Sequence, residues 1–266
     1  RIVLGVVQGL TEFLPVSSSG HLVVWSGLLK ADSTLAFDVA LHFGSLIALI
    51  FYFWRDVIGL FQGFLATFRR DLSRAEKRKR TVFWLIVVSI VPSAIAGILL
   101  SDRIEAVFSN YYVVAAMFLV TALLLFLQRF CSTSRDIRDI NRKDAMIIGI
   151  GQMFALLPGL SRSGTTMSAG VYCGLRQEDA AHFSFLMAIP TIAGATLLKA
   201  VDFVKTGLSS EVLLEVGIGV AVSVLTSLVA IQLLLGAARR GKIQWFAVYC
   251  VAAAAFTFAA HYMDLF

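Results

Sequence analysis

The residues best suited to chemistry lie in a short polar stretch near the start of the chain, Gln8–Leu22. Ser18 is a potential oxygen nucleophile, and it lies between Glu12, six residues earlier, and His21, three residues later. This spacing offers a hydroxyl, a carboxylate and a proton carrier for group transfer. Glu12 is suited either to act as a base or to hold a divalent cation, for which Gln8, one turn earlier, adds a neutral oxygen. We therefore predict catalytic roles for Glu12, Ser18 and His21, and metal binding by Glu12 and Gln8.

A second polar stretch, Leu157–Thr166, is built around an arginine. The planar fork of donors on Arg162 suits phosphate oxygens. Helices that begin near Ser19-Gly20 and Ser163-Gly164 would direct backbone N–H groups at an anion. The hydroxyl side chains predicted to bind the same anion are Ser17, Ser19, Ser161, Ser163, Thr165 and Thr166. The two stretches together indicate phosphoryl transfer, which needs mainly positioning and charge stabilisation.

The rest of the chain is strongly apolar. Of its 266 residues, 58% are hydrophobic and 15% are charged, whereas soluble domains carry roughly 25% charged residues. The mean hydropathy of +0.83 indicates an integral membrane protein. The net charge of +6 lies in short loops between apolar segments, so orientation in a membrane explains it better than nucleic-acid binding. Cys131, Cys173 and Cys250 show no metal-ligand pattern, and we assign them no redox role.

Six apolar segments approach the length of about 20 residues that a membrane-spanning helix needs. They are Leu35–Trp54, Val82–Leu100, Tyr111–Gln128, Phe183–Leu198, Val216–Ala238 and Ile243–Met263. Two further apolar regions, Arg1–Leu29 and Ala145–Leu175, are each interrupted by the polar stretches described above. Such breaks at membrane depth are tolerated only where they are buried in protein or line a wet cavity.

The two interrupted regions resemble each other, with Gln8 and Gln152 at corresponding positions about 144 residues apart. Each is followed by three spanning candidates, so the two halves must insert with opposite orientation. The basic loops are Arg69–Arg80, Arg129–Lys143 and Arg239–Lys242, whereas Ser101–Asn110 and Lys205–Glu211 are poor in basic residues. Positive-inside assignment of the basic loops to the cytoplasm makes both interrupted regions re-entrant hairpins that enter from opposite sides.

We therefore predict an all-α polytopic membrane protein with six transmembrane helices and two re-entrant helical hairpins, built as an inverted-topology repeat. The chain is expected to form one membrane domain over residues 1–266, with repeats at about 1–130 and 144–266. Because ionisable groups at membrane depth are costly, Glu12, His21 and Arg162 are functional candidates. His42 and His261 are assigned to packing.

The polar stretches and the segment Phe183–Pro190 resemble the undecaprenyl-diphosphate phosphatase family, the bacitracin-resistance proteins. The resemblance covers essentially the whole chain, and Glu12, Ser18, His21 and Arg162 match the family's functional positions. It implies hydrolysis of a C55 lipid diphosphate to its monophosphate in the bacterial cytoplasmic membrane. That reaction recycles the carrier for peptidoglycan synthesis. The resemblance also implies a divalent cation (Mg²⁺ or Ca²⁺), an outward-facing site and homodimers. Many members carry Glu where this chain has Gln8, which disfavours a two-carboxylate metal site.

Several mechanisms and one rival function follow from these residues. Ser18 attacks the terminal phosphorus while His21 moves the proton, or His21 is itself the nucleophile, or water attacks directly. A secondary transporter or flippase of a lipid phosphate would use the same anion site without a nucleophile. Ser18, His21 and Glu12 together favour the enzyme, because anion binding alone does not require them.

Overall fold

The computed structural model describes residues 1–30, 35–108, 110–206 and 210–266, and these residues form twelve α-helices and no strand. The helices are α1 (Ile2–Phe13), α2 (Ser18–Leu28), α3 (Leu35–Tyr52), α4 (Trp54–Leu65), α5 (Arg74–Leu99), α6 (Ser101–Val107), α7 (Tyr111–Leu127), α8 (Arg142–Phe154), α9 (Arg162–Tyr172), α10 (Gln177–Thr206), α11 (Ser210–Arg239) and α12 (Phe246–Tyr262). Helices dominate because a backbone surrounded by lipid must satisfy its N–H and C=O groups internally.

Five helices of the described ranges, α5, α7, α10, α11 and α12, are long and apolar enough to cross a membrane. A sixth candidate is a bent pair, in which Val39–Tyr52 and Trp54–Phe68 meet at 86°. The five helices coincide with five of the predicted spans, and the predicted span Leu35–Trp54 corresponds to the first arm of the bent pair. The prediction of an all-α, multi-pass membrane protein is confirmed.

One prediction about the connections was wrong, and one helix was missed. The predicted loop Ser101–Asn110 contains the short helix α6, and α4 was not anticipated at all. Helix α4 is too short to span, and it is held against α5 by close backbone packing: a Cβ on Gly63 would lie 2.3 Å from the carbonyl oxygen of Lys79. A pattern that looks for 20-residue apolar runs misses such a helix. The predicted loop Lys205–Glu211 lies partly outside the described residues.

Each interrupted region folds as a pair of short helices, α1 with α2 and α8 with α9. The helices contain 11 to 13 residues, so each is about 20 Å long or less at about 1.5 Å per residue. That is shorter than the hydrocarbon core of about 30 Å, as a re-entrant hairpin requires. The opposite orientation of the two halves and the repeat boundaries stay predictions.

The hairpins are fixed by close contacts with long helices. Helix α1 packs against α11, where a Cβ on Gly9 would lie 2.0 Å from Oγ1 of Thr226. Helix α8 packs against α5, where a Cβ on Gly149 would lie 2.3 Å from the carbonyl oxygen of Ser89. Each hairpin therefore rests against a long helix from the other half of the chain, and this packing sets where its turn lies.

Candidate active site

The first hairpin turns between α1 and α2 at a proline. Leu14 is extended (φ −64°, ψ 144°), the conformation favoured before Pro15, so α1 ends there. Ser17 then adopts a left-handed φ of 69° and caps α2 by accepting a hydrogen bond of 3.3 Å from the N–H of Gly20. This turn places Glu12 in the last helical turn of α1 and Ser18 at the first position of α2.

The second hairpin turns between α8 and α9 at a glycine. Gly159 has φ +89°, and a Cβ there would lie 2.4 Å from the carbonyl oxygen of Val114, so only glycine fits. Ser161 caps α9 by accepting 3.1 Å from the N–H of Gly164. Its own N–H donates to Oγ1 of Thr121 at 3.0 Å. Arg162 therefore stands at the first position of α9, as Ser18 does on α2.

The two turns touch each other. The hydroxyl of Ser163 donates to the carbonyl oxygen of Leu14 at 3.1 Å, which satisfies an acceptor at the end of α1. A Cβ on Gly164 would lie 3.3 Å from Cβ of Pro15, so the second turn approaches the first closely. The predicted meeting of the two polar stretches is thus present in the structure.

Glu12 is the centre of the contact between the hairpins. Its Oε1 accepts from Nη2 of Arg162 at 2.7 Å, and its Oε2 accepts from the hydroxyl of Ser18 at 2.6 Å. Nε2 of Gln8 also donates to Oε2, at 2.9 Å. The side chain of Glu12 is 5% exposed and that of Arg162 is 16% exposed. A buried carboxylate is stable only when it is paired in this way.

The geometry of this cluster suits attack by a hydroxyl on an anionic group. The Ser18 hydrogen points at a carboxylate, which can accept it as the oxygen attacks. The contact of Arg162 with Glu12 uses one of the five N–H donors of a guanidinium. The described residues show no other partner for the Arg162 side chain, so its remaining donors are available to phosphate oxygens.

Both ring nitrogens of His21 have partners other than Ser18 and Glu12. Its Nδ1 is 2.8 Å from the carbonyl oxygen of Ser17, and its Nε2 is 2.8 Å from the hydroxyl of Tyr249. The Tyr249 ring stacks on the imidazole with centroids 5.6 Å apart. Because a carbonyl only accepts, Nδ1 carries the hydrogen, and in the neutral ring Nε2 accepts from Tyr249. The structure thus brings Glu12, Ser18 and Arg162 together and holds His21 through other partners.

Two residues beside the site were not among those predicted. His42 was expected only to pack, but its Nε2 lies 3.6 Å from Oε2 of Glu12. The signal was present in the sequence, since His42 is an ionisable residue inside an apolar run. Tyr249 had no such signal, because it reaches His21 only through the packing of α12. His261 does pack, between the rings of Tyr111 and Tyr112.

The predicted hydroxyl residues fall into two groups. Five of them have side chains engaged within the protein: Ser17 and Ser161 as helix caps, Ser163 on Leu14, Thr166 on the hydroxyl of Ser184 at 2.6 Å, and Ser19 on the hydroxyl of Ser17 at 3.3 Å. The second group is Thr165 alone, whose Oγ1 is buried with no partner among the described residues. The first group builds the turns, and direct contact of any of the six with phosphate stays a prediction.

The residues at the turns fit a divalent cation only in part. In the described part of the chain, no three His, Cys, Asp or Glu side chains are grouped so that they could hold a metal ion. Glu12 offers its carboxylate, and Oε1 of Gln8 is buried without a partner in the same ranges. Mg²⁺ is commonly held by one or two carboxylates together with substrate phosphates. The donors therefore fit a cation shared with a bound phosphate group, and not one held by the protein alone.

Known proteins resemble this chain over nearly its whole length. The family model for bacitracin resistance protein BacA matches residues 1–256. The undecaprenyl-diphosphatase of Methanosphaera stadtmanae is 40% identical over 260 residues, which are 94% of this chain and 92% of that protein. The undecaprenyl-diphosphatase of Moorella thermoacetica is 40% identical over 264 residues, which cover 98% and 97% of the two chains. That of Trichlorobacter lovleyi is 41% identical over 253 residues, covering 94% and 92%. Both hairpins lie inside the matched region.

Proposed function

The chain belongs to the bacitracin resistance protein BacA family, and from this membership we propose that it hydrolyses undecaprenyl diphosphate to undecaprenyl phosphate and inorganic phosphate. The three relatives described above are named for this activity. The reaction returns the lipid carrier to peptidoglycan synthesis and thereby opposes bacitracin.

The observation that carries this proposal is the position of Glu12 between Ser18 and Arg162. One carboxylate oxygen accepts from the hydroxyl and the other from the guanidinium. A site that only bound and moved a lipid phosphate would need the positive charge of Arg162, but it would not need a hydroxyl that donates to a carboxylate base. This geometry favours the hydrolase over the transporter considered from the sequence.

In the first step, Oγ of Ser18 attacks the terminal phosphorus. The Oγ–P bond forms, the bond from that phosphorus to the bridging oxygen breaks, and undecaprenyl phosphate leaves. The hydrogen of Ser18 passes to Oε2 of Glu12, which it already approaches at 2.6 Å. Arg162 stabilises the charge on the transferring group with its remaining donors.

In the second step, the oxygen of a water molecule attacks the phosphorus, the Oγ–P bond breaks, and the phosphate leaves with both water hydrogens as dihydrogen phosphate. Glu12, protonated in the first step, returns a proton to Oγ, which keeps the balance. His21 holds the start of α2 through the carbonyl oxygen of Ser17. Attack by His21 itself, or by water without a covalent intermediate, would use the same Glu12 and Arg162 and differs in whether Ser18 becomes phosphorylated.

A divalent cation, Mg²⁺ or Ca²⁺, belongs to the proposal. Glu12 and Gln8 would hold it together with phosphate oxygens of the substrate, and it would supply additional charge neutralisation there. Gln8 is a neutral donor, so Glu12 provides the acidic ligand. The proposal also includes the bacterial cytoplasmic membrane, with the site open to the outer side, and a homodimer. The basic loops support that orientation.

Phosphate release from the lipid diphosphate in detergent tests the function, because transport has no meaning there. Wild type is expected to release phosphate, whereas Glu12→Ala and Arg162→Ala are expected to lose most of the rate. Full-rate release by both variants would overturn the site assignment. Rapid-quench samples, digested and mapped, are expected to show phosphate on Ser18. Finding no phosphorylated residue would replace covalent catalysis by direct attack of water.

A further inference from the structure

A cavity of about 410 Å³ lies between the beginning of α5 and the beginning of α8, away from the hairpin turns. Arg80 and Arg142 line it from the two helices, together with Asn141 at the cap of α8. Its apolar wall is formed by Trp84, Leu85 and Ile140. The cavity thus combines two guanidinium groups with an apolar wall.

In the part of the chain that the structure describes, Arg80 and Arg142 lack the acidic partner that several other arginines of this protein have. The structure pairs Arg1 with Glu215, Arg69 with Glu76, Arg135 with Asp144, Arg162 with Glu12, Arg176 with Asp179 and Arg239 with Glu178. Within the described residues, Arg80 and Arg142 form no ion pair and no side-chain hydrogen bond. Two guanidinium groups that share a cavity without a carboxylate repel each other, and an anion would relieve this repulsion.

The apolar wall places the cavity at the edge of the membrane. Arg80 and Trp84 are one turn apart on α5, a candidate span whose apolar part begins there. Trp84 is 45% exposed, and its Nε1 donates to Oγ1 of Thr67 at 3.2 Å. Tryptophan in this half-exposed, hydrogen-bonded state is typical of the membrane–water interface. Leu85 and Ile140 are buried and close the inner side of the cavity.

We propose that this cavity binds an anionic phospholipid of the surrounding bilayer. Arg80 and Arg142 take the phosphate of the headgroup, for which the guanidinium fork is suited. An acyl chain lies along Trp84 and Leu85. Basic pockets between membrane helices bind anionic headgroups in this way, whereas a soluble phosphate would leave the apolar wall unused. The site is separate from the one that holds the substrate diphosphate.

Native mass spectrometry of the full chain, titrated with phosphatidylglycerol or with zwitterionic phosphatidylcholine, tests the proposal. Wild type is expected to bind phosphatidylglycerol more tightly. The double variant Arg80→Gln/Arg142→Gln is expected to bind it about 30-fold more weakly, since each basic residue near a membrane surface contributes about a factor of five. Glycerol phosphate, which has the headgroup chemistry without acyl chains, is expected not to compete at millimolar concentration.

The matched control is Arg78→Gln/Lys143→Gln, which removes the same charge from neighbouring positions that do not line the cavity. It is expected to change phosphatidylglycerol binding less than threefold. Equal loss in both double variants, equal binding of both lipids by wild type, or full competition by glycerol phosphate would each overturn the proposal. If the first double variant does not fold, Arg80→Lys/Arg142→Lys keeps the charge without the fork, and the wild-type lipid preference still decides the outcome.

Discussion

The turns of the two hairpins are built alike where their second helices begin. Ser17 and Ser161 cap α2 and α9, and each accepts from the N–H of a glycine three residues later. Ser19-Gly20 and Ser163-Gly164 follow in both. At the position directly after the cap, however, one hairpin has Ser18 and the other has Arg162. The two side chains contact different oxygens of the same carboxylate, that of Glu12.

This difference shows how one backbone design supplies two chemical roles. The corresponding glutamines illustrate the same division: Gln8 donates to Glu12, whereas Gln152 donates to Ser93 at 2.8 Å and to Thr191 at 3.2 Å. Four residues after each glutamine, the first hairpin has Glu12 and the second has Leu156. The first hairpin therefore carries the base Glu12 and the nucleophile Ser18, and the second carries the guanidinium of Arg162 that binds phosphate.

The largest expected effect comes from removing the negative charge of Glu12, which side chains of both hairpins contact. Glu12→Gln keeps the shape of the side chain and a hydrogen-bond acceptor, but its amide oxygen cannot take up the Ser18 proton, so we expect kcat to fall by about 10³-fold. The measurement is phosphate release from the lipid diphosphate at saturating substrate. Leu156→Gln places the same side chain at the corresponding position of the second hairpin and is expected to stay within a few-fold of wild type. Retention of a tenth of the activity by Glu12→Gln would show that the base lies elsewhere.

Replacing the arginine of the second hairpin is expected to have the next largest effect. Arg162→Ala removes the phosphate donors and leaves Glu12 buried without its cation, and we expect kcat/KM to fall by about 10²-fold or more. Arg162→Lys keeps the charge without the planar fork and is expected to recover only part of this loss. Steady-state kinetics on both variants, with the remote Arg239→Ala as control, give the comparison. Wild-type kinetics for Arg162→Lys would mean that charge alone is needed.

The pair of His21 and Tyr249 has no counterpart in the second hairpin, because Thr165 occupies the position that corresponds to His21. Tyr249→Phe removes the hydrogen bond to Nε2 while keeping the stacked ring. A hydrogen bond of this kind contributes about 1 kcal/mol, so we expect kcat to fall about fivefold. KM is expected to stay unchanged, because the role is to position the imidazole, whereas the unfolding temperature is expected to fall by about 2–4 °C. Tyr112→Phe, whose ring packs away from the site, is the control. An equal change in KM would assign Tyr249 to substrate binding.

The helices and the family could be read from the sequence, but the direction of individual side chains could not. Apolar runs long enough to span located α5, α7, α10, α11 and α12, since length and hydropathy suffice for that. The resemblance to undecaprenyl-diphosphate phosphatases is confirmed by the family match. The contacts of His21 depend on α12, more than 220 residues away. Spacing within a motif therefore placed His21 near Ser18 in the chain without showing that its ring faces Tyr249.

The smallest expected effect is a difference in stability between variants of the two capping residues, Ser17 and Ser161. Ser17 has φ +69°, whereas Ser161 has φ −69°. Replacement of either serine by alanine removes a cap and is expected to lower the free energy of unfolding by about 1 kcal/mol. Glycine at position 17 also loses the cap but relieves the left-handed strain of about 1 kcal/mol. Thermal unfolding in one detergent should therefore rank Ser17→Gly close to wild type and above Ser17→Ala. Because Ser161 has an unstrained φ, Ser161→Gly gains no such relief. If Ser17→Gly is no more stable than Ser17→Ala, then the left-handed conformation of Ser17 costs nothing and the two turns are energetically equivalent.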